Sequence, residues 1–103
     1  MTDYKIPFSQ TAWTDMGPEV RQKRGVIDKT QLRVVEFDHA FVEKDWCIKG
    51  HIGYVISGEM HIDFEDSILK FELGDAFYIP HGQRHKMSVV SEKLTLFLSE
   101  EAH

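Results

Sequence analysis

The stretch "GDAFYIPHGQRH", residues 74–85, sets the reading of the whole chain. It runs Gly74, five residues, Pro80, one residue, Gly82, two residues and then His85. Each of these has a physical job. Gly74 permits a tight reversal with φ > 0, and Pro80 ends a strand because it has no N–H to give to a ladder. Gly82 supports a second reversal, and His85 then opens a new strand. There His85, Met87 and Val89 share one face by two-residue alternation. An imidazole on the same face as Met and Val is expected to point into the interior.

Working outward, the neighbouring text is strand-like. "HIGYVIS" (51–57) ends at Gly58-Glu59 and reverses into "MHIDFE" (60–65). In the latter, Met60, Ile62 and Phe64 alternate with His61, Asp63 and Glu65, which gives one buried and one wet face. Asp66-Ser67 turns into "ILKFEL" (68–73), and Gly74-Asp75 turns into "AFYIP" (76–80). "HKMSVV" (85–90) and "KLTLFLS" (93–99) close the set, and "LRVVEF" (32–37) precedes it. No segment sustains a helical period beyond a turn or two. Short strands punctuated by Gly, Asp and Pro turns read as an antiparallel sandwich or small barrel. Residues 1–24 differ, with Pro7, Gly17, Pro18 and only scattered aromatics. They are expected to form an arm packing on the barrel or on a partner subunit, with Trp13 as its anchor. The barrel is placed at 25–103.

A chain of 103 residues is most simply one domain with a single modest core. Its 42% hydrophobic and 28% charged residues are the balance of an ordinary globular protein. A net charge of -5 argues against a nucleic-acid partner, because non-specific affinity for phosphate comes from clustered Lys and Arg. The one basic cluster, "RQKR" at 21–24, is short. There is no basic-then-apolar leader and no apolar run of membrane-spanning length, so no membrane partner is expected. Cys47 is the single cysteine, which rules out an intrachain disulfide and favours a cytoplasmic location.

The spacing in 74–85 resembles the second signature of the cupin family, whose members are small β-barrels with a pocket inside. The resemblance implies an all-β, double-stranded β-helix (jelly-roll) barrel. The family's first signature reads as a Gly, His-x-His, a Glu four or five residues later and a Gly seven after that. Counting back seven from Gly58 lands on His51, so "HIGYVISG" resembles that segment with histidine in place of glutamate. Between Gly58 and Gly74 lie 15 residues, close to the compact spacing of small cupins. The resemblance covers roughly residues 25–99. It implies that the His-x-His positions fall on Asp45 and Cys47, or, with the longer spacing, on Lys44 and Trp46. The first register puts Asp45, Cys47 and His51 at even offsets and calls for a bulge or turn near Lys49-Gly50. Val89 stands where the family often has asparagine.

Asp45, Cys47, His51 and His85 are therefore the candidate ligands of a divalent metal. A thiolate with two imidazoles suits zinc. Two histidines with Asp45, leaving Cys47 uncoordinated, would resemble the facial triad of non-haem iron; nickel and manganese stay open. Against this stand a barrel without metal, in which Cys47 packs as a small hydrophobe, and a Cys47 nucleophile activated by His51 or His85. His81 is expected on a loop near the pocket mouth, His61 on the solvent face, His39 in a turn and His103 at the terminus. Trp46, Tyr54, Phe77 and Tyr78 could line a pocket or contact a partner subunit, with core packing the default reading. Arg33 and Arg84 could orient a carboxylate by a bidentate contact but are read as surface residues. The apolar face of Ile52, Tyr54 and Ile56 lies opposite His51 and needs cover from the arm or another subunit. Small cupins are often homodimers, so a homodimer is expected. The functional expectation is a metal-dependent enzyme of the dioxygenase, isomerase or lyase type acting on a small molecule. The alternative is a metal-free barrel that binds a small ligand as a sensor.

Overall fold

The alternation read in the sequence becomes nine strands in two antiparallel sheets in the computed structural model, which describes residues 4–102. The strands are β1 (Thr14–Asp15), β2 (Val20–Ile27), β3 (Thr30–Asp38), β4 (His51–Ser57), β5 (Glu59–Asp63), β6 (Ile68–Glu72), β7 (Ala76–Ile79), β8 (Lys86–Val89) and β9 (Lys93–Glu101). The larger sheet runs β1-β2-β3-β9-β4-β7 and the smaller one β6-β5-β8. One 3-10 turn among the described residues, Phe8–Gln10, precedes the first strand. No helix among the described residues is long and apolar enough to cross a membrane.

Packing follows from two-residue alternation. β9 pairs with β3 on one side and β4 on the other, and its Leu94, Leu96 and Leu98 are buried. Val35 and Phe37 of β3, Val55 of β4 and Ile79 of β7 join them from the same sheet. Met60 and Ile62 of β5 and Val89 of β8 close over them from the smaller sheet. Each such side chain stabilises the fold by about 1.5–3 kcal/mol of apolar burial. This is the jelly-roll barrel that the turn motif implied. Gly74 and Gly82 have φ of 93° and 96°, the left-handed region that both reversals needed.

Two expectations change. The division at 24/25 runs through the middle of β2, which pairs with β3 from Val20↔Phe37 to Ile27↔Thr30. "VRQKRGVI" hides a strand because its inward side carries polar groups: Gln22 is buried, and its Oε1 accepts from Arg33 Nη1 at 3.1 Å. The segment before it lies on the outer face of β2. Ile6 sits where a side chain at Gly25 would otherwise be. Lys23 Nζ donates to Phe8 O at 2.7 Å, while Arg21 and Lys23 lie 4.2 and 4.9 Å from the Trp13 ring. Tyr54 and Tyr78 are not core residues. They share with Ile52 and Ile56 an outer face that stays exposed, because the N-terminal segment covers β2 and leaves β4 open.

Candidate metal centre

Residues 39–50 connect β3 to β4 across the gap between the sheets, tied to the smaller sheet by two bridges, Val42↔Ser88 and Cys47↔His85. In the second, Cys47 N–H donates to His85 O at 2.9 Å and His85 N–H donates back to Cys47 O at 3.0 Å. Residues paired in this way project their side chains from the same side of the ladder, so the thiol and the imidazole become neighbours. From Ile48 to Gly50 the backbone is irregular and rests directly on the "PHG" turn. Gly82 N–H donates to Ile48 O at 2.8 Å. A Cβ on Gly50 would lie 2.8 Å from His81 N and 2.9 Å from Ile79 O, so only glycine lets the two segments meet. His51 then starts β4 opposite Ile79.

These contacts bring one ligating atom from each of Cys47, His51 and His85 within 4.8 Å of one another. The two imidazole rings are 5.3 Å apart and nearly perpendicular, at 85°. His85 is buried, and its Nδ1 lies 2.9 Å from Gln83 O. A carbonyl only accepts, so Nδ1 carries a proton, and Nε2 is the nitrogen that can ligate when the ring is neutral. His51 Nδ1 contacts Glu100 Oε2. Glu100 also receives Arg33 Nε on Oε1 at 2.7 Å, Arg33 Nη2 on Oε2 at 2.8 Å and Gln31 Nε2 on Oε1 at 2.9 Å. Burial pushes the Glu100 carboxyl up, but the hydrogen bonds from His51 and Arg33, the Arg33 charge and Gln31 outweigh it and hold its pKa down at about 2. Glu100 is thus a carboxylate, an acceptor only, and His51 Nδ1 is the donor.

Of the four candidate ligands, three converge and one does not. Asp45 is exposed, lies at a bend and takes no part in the cluster. The irregularity expected near Lys49-Gly50 is present, but Asp45 and Cys47 are not on one strand: Cys47 contributes one isolated bridge, and the bend at Asp45 breaks the alternation before it. Between the two registers the structure favours Cys47: Lys44 is exposed, and Trp46 packs against Arg84 and Lys86, at 4.9 and 4.6 Å from its ring. Phe77 is buried, and Val89, at the asparagine position, belongs to the core. His61 and His39 are exposed, and His81 is an exposed turn residue on the cavity rim; His103 lies outside the described residues. Arg84 is exposed, 3.6 Å from Glu65. Arg33 is not a surface residue: it lines the cavity and grips Glu100. Glu100 itself escapes a reading in which the last strand stops at Ser99. Continuing the alternation of Leu94, Leu96 and Leu98 by one step would have placed a carboxylate inside the barrel.

The cluster occupies one pole of a cavity of about 820 Å³ between the sheets. Phe37, Met60, Ile62, Met87 and Leu96 give it apolar walls, and Lys49 and His81 stand at the same pole as the cluster. A thiol and two imidazoles fit zinc or another borderline-soft divalent ion. The two-histidine, one-carboxylate set expected for iron is not assembled, since Asp45 is outside and the Glu100 oxygens are engaged by four donors.

The family model of the cupin domain matches residues 49–99, from just before His51 to the end of the buried part of β9. This chain is a small cupin. No curated protein matches it in sequence. Among solved structures it is similar to KdgF from Halomonas sp., with 23% identity, a TM-score of 0.79 and coverage of 98% of this chain and 96% of that one. It is also similar to an RmlC-like cupin from Shewanella frigidimarina (18% identity, TM-score 0.80, 99% and 93% covered). An HTH_3 family transcriptional regulator from Vibrio cholerae shares 11% identity at a TM-score of 0.69, over 93% of this chain but 57% of the regulator. At these identities the likeness is one of fold.

Proposed function

We propose that this cupin holds one divalent ion, zinc by preference, on Cys47, His51 and His85, and acts on a small molecule bound in the barrel. With zinc, which has no redox chemistry, the reaction class is that of a metal-dependent isomerase or lyase; a dioxygenase would need a redox-active divalent ion such as iron on the same ligands. One observation carries the reading: three ligating atoms from two stretches of chain, Cys47 with His51 and the distant His85, converge within 4.8 Å at the edge of a cavity large enough for a metabolite. Three protein ligands leave a fourth position for substrate or water, as in catalytic zinc sites. An ion there would polarise a substrate oxygen as a Lewis acid. Cys47 would bind as thiolate and the histidines through Nε2. The cavity walls are largely apolar, and Lys49 and His81 line the cavity without being ligands. A thiol ligand requires reducing surroundings, in keeping with a cytoplasmic location. The test is titration of the metal-free protein with cobalt(II). A thiolate-to-cobalt absorption band in the wild type, absent from a folded His85→Ala variant, supports the site; a spectrum unchanged by that substitution moves it elsewhere.

A second reading rests on the cavity alone. Its volume exceeds what an ion needs, its walls are mostly apolar, and the same barrel occurs within a transcriptional regulator. A ligand-binding cupin without metal would retain a metabolite in native mass spectrometry of protein stripped with chelator.

A further inference from the structure

We propose that Arg33 and Glu100 are positioning residues for His51: the guanidinium fixes the carboxylate, and the carboxylate fixes the imidazole with Nδ1 protonated and Nε2 free to bind an ion. This rests on the metal reading above and assigns a role to two residues outside the ligand set.

Sheet register builds the arrangement. Gln31 of β3 pairs with Glu100 of β9, and one step beyond Ile52↔Ser99 puts His51 of β4 on the other side of Glu100. Gln31, Glu100 and His51 therefore form a row across three adjacent strands, and Arg33 is the diagonal neighbour, within reach of a long side chain. The row places four donors on two oxygens: Arg33 Nε and Gln31 Nε2 on Oε1, Arg33 Nη2 and His51 Nδ1 on Oε2. Gln22, itself buried, takes the Nη1 of Arg33. The acceptor capacity of Glu100 is spent on these partners, so it has no lone pair to offer a substrate proton or an ion. What it does is orient its neighbour.

The two histidines solve the same problem differently. His85 follows a tight turn and finds a backbone carbonyl for Nδ1, that of Gln83. His51 opens a strand, and its Nδ1 partner is a side chain. Outer partners of this kind fix tautomer and ring direction, and their loss typically costs 10–100-fold in metal affinity. In Glu100→Gln, Arg33 Nε and Gln31 Nε2 hold the amide oxygen at the Oε1 position, and the NH2 takes the place of Oε2, where the Arg33 Nη2 bond is lost. The amide NH2 then faces Nδ1 and drives the imidazole proton onto Nε2, the nitrogen an ion needs.

The test has two parts. Long-range 1H–15N NMR of the histidine rings, on metal-free wild-type protein at alkaline pH, should show His51 as the Nδ1–H tautomer and the Glu100→Gln protein with the proton moved to Nε2. Competition of each protein with a chromophoric chelator for zinc should show a loss of about 10–100-fold in Glu100→Gln and a smaller loss in Arg33→Lys, which keeps the charge but not the fork. A wild-type His51 protonated at Nε2, or zinc affinity in folded Glu100→Gln equal to wild type, overturns the proposal. The tautomer is read without metal, so it decides the positioning claim independently of whether zinc is taken up, and it needs no variant to fold.

Discussion

The Glu100 carboxylate is held by four donors, and protonating it costs folding free energy. Its pKa falls from about 4.5 to about 2 on folding. A carboxyl depressed in the folded state contributes stability fully above its unfolded pKa and loses it as pH falls toward the folded one. The window is therefore about pH 4.5 down to about 2, with up to roughly 3 kcal/mol at stake at about 1.4 kcal/mol per unit. Glu36, lowered mainly by its hydrogen bond from Arg21, acts in the same direction. Urea midpoints should drop steeply across that interval in the wild type and less steeply in Glu100→Gln. Parallel slopes in the two proteins would mean that Glu100 is not held as an anion in the folded state.

At the scale of elements, the site depends on one irregular segment held against one turn. Gly50→Ala would place a methyl 2.8 Å from His81 N and 2.9 Å from Ile79 O, contacts that backbone cannot yield cheaply. We expect a loss of about 1–3 kcal/mol in stability, and weakened zinc binding although no ligand is altered; calorimetry and chelator competition read the two effects. A variant with unchanged melting would show that the 48–50 segment moves freely. The same scale explains what the sequence made legible. The 74–85 motif could be read because its glycines, proline and alternating strand are local chemistry. β2 could not, because its inward Gln22 is satisfied by a residue on the next strand, invisible to a pattern of apolar positions. Cys47, His51 and His85 were legible as ligand types at motif spacings. Asp45 was misplaced because alternation was carried through a bend. Arg33 and Glu100 were misjudged or missed because their roles come from pairing across strands 67 residues apart.

At the scale of the whole molecule, the barrel has two sides with different needs. The inner side carries mostly apolar side chains around a cavity, with Gln22, Arg33 and Glu100 as polar exceptions beside the ligand cluster. The outer side carries Ile52, Tyr54 and Ile56 on β4, with Tyr78 paired across to Ile52 on β7. We propose that a second copy of the chain covers this stripe, since the N-terminal segment is spent on β2. Light scattering after size exclusion at micromolar concentration should give a dimer that Ile52→Glu converts to a monomer; a wild-type monomer would end that proposal. The metal site proposed for Cys47, His51 and His85 is the centre of the molecule's function. It is tested most directly by elemental mass spectrometry of untagged protein purified without chelator. About one zinc per chain is expected in the wild type and in Asp45→Asn, and almost none in a folded Cys47→Ser/His85→Ala protein. Equal metal in wild type and double variant, or a wild type that takes up none on reconstitution, would contradict it.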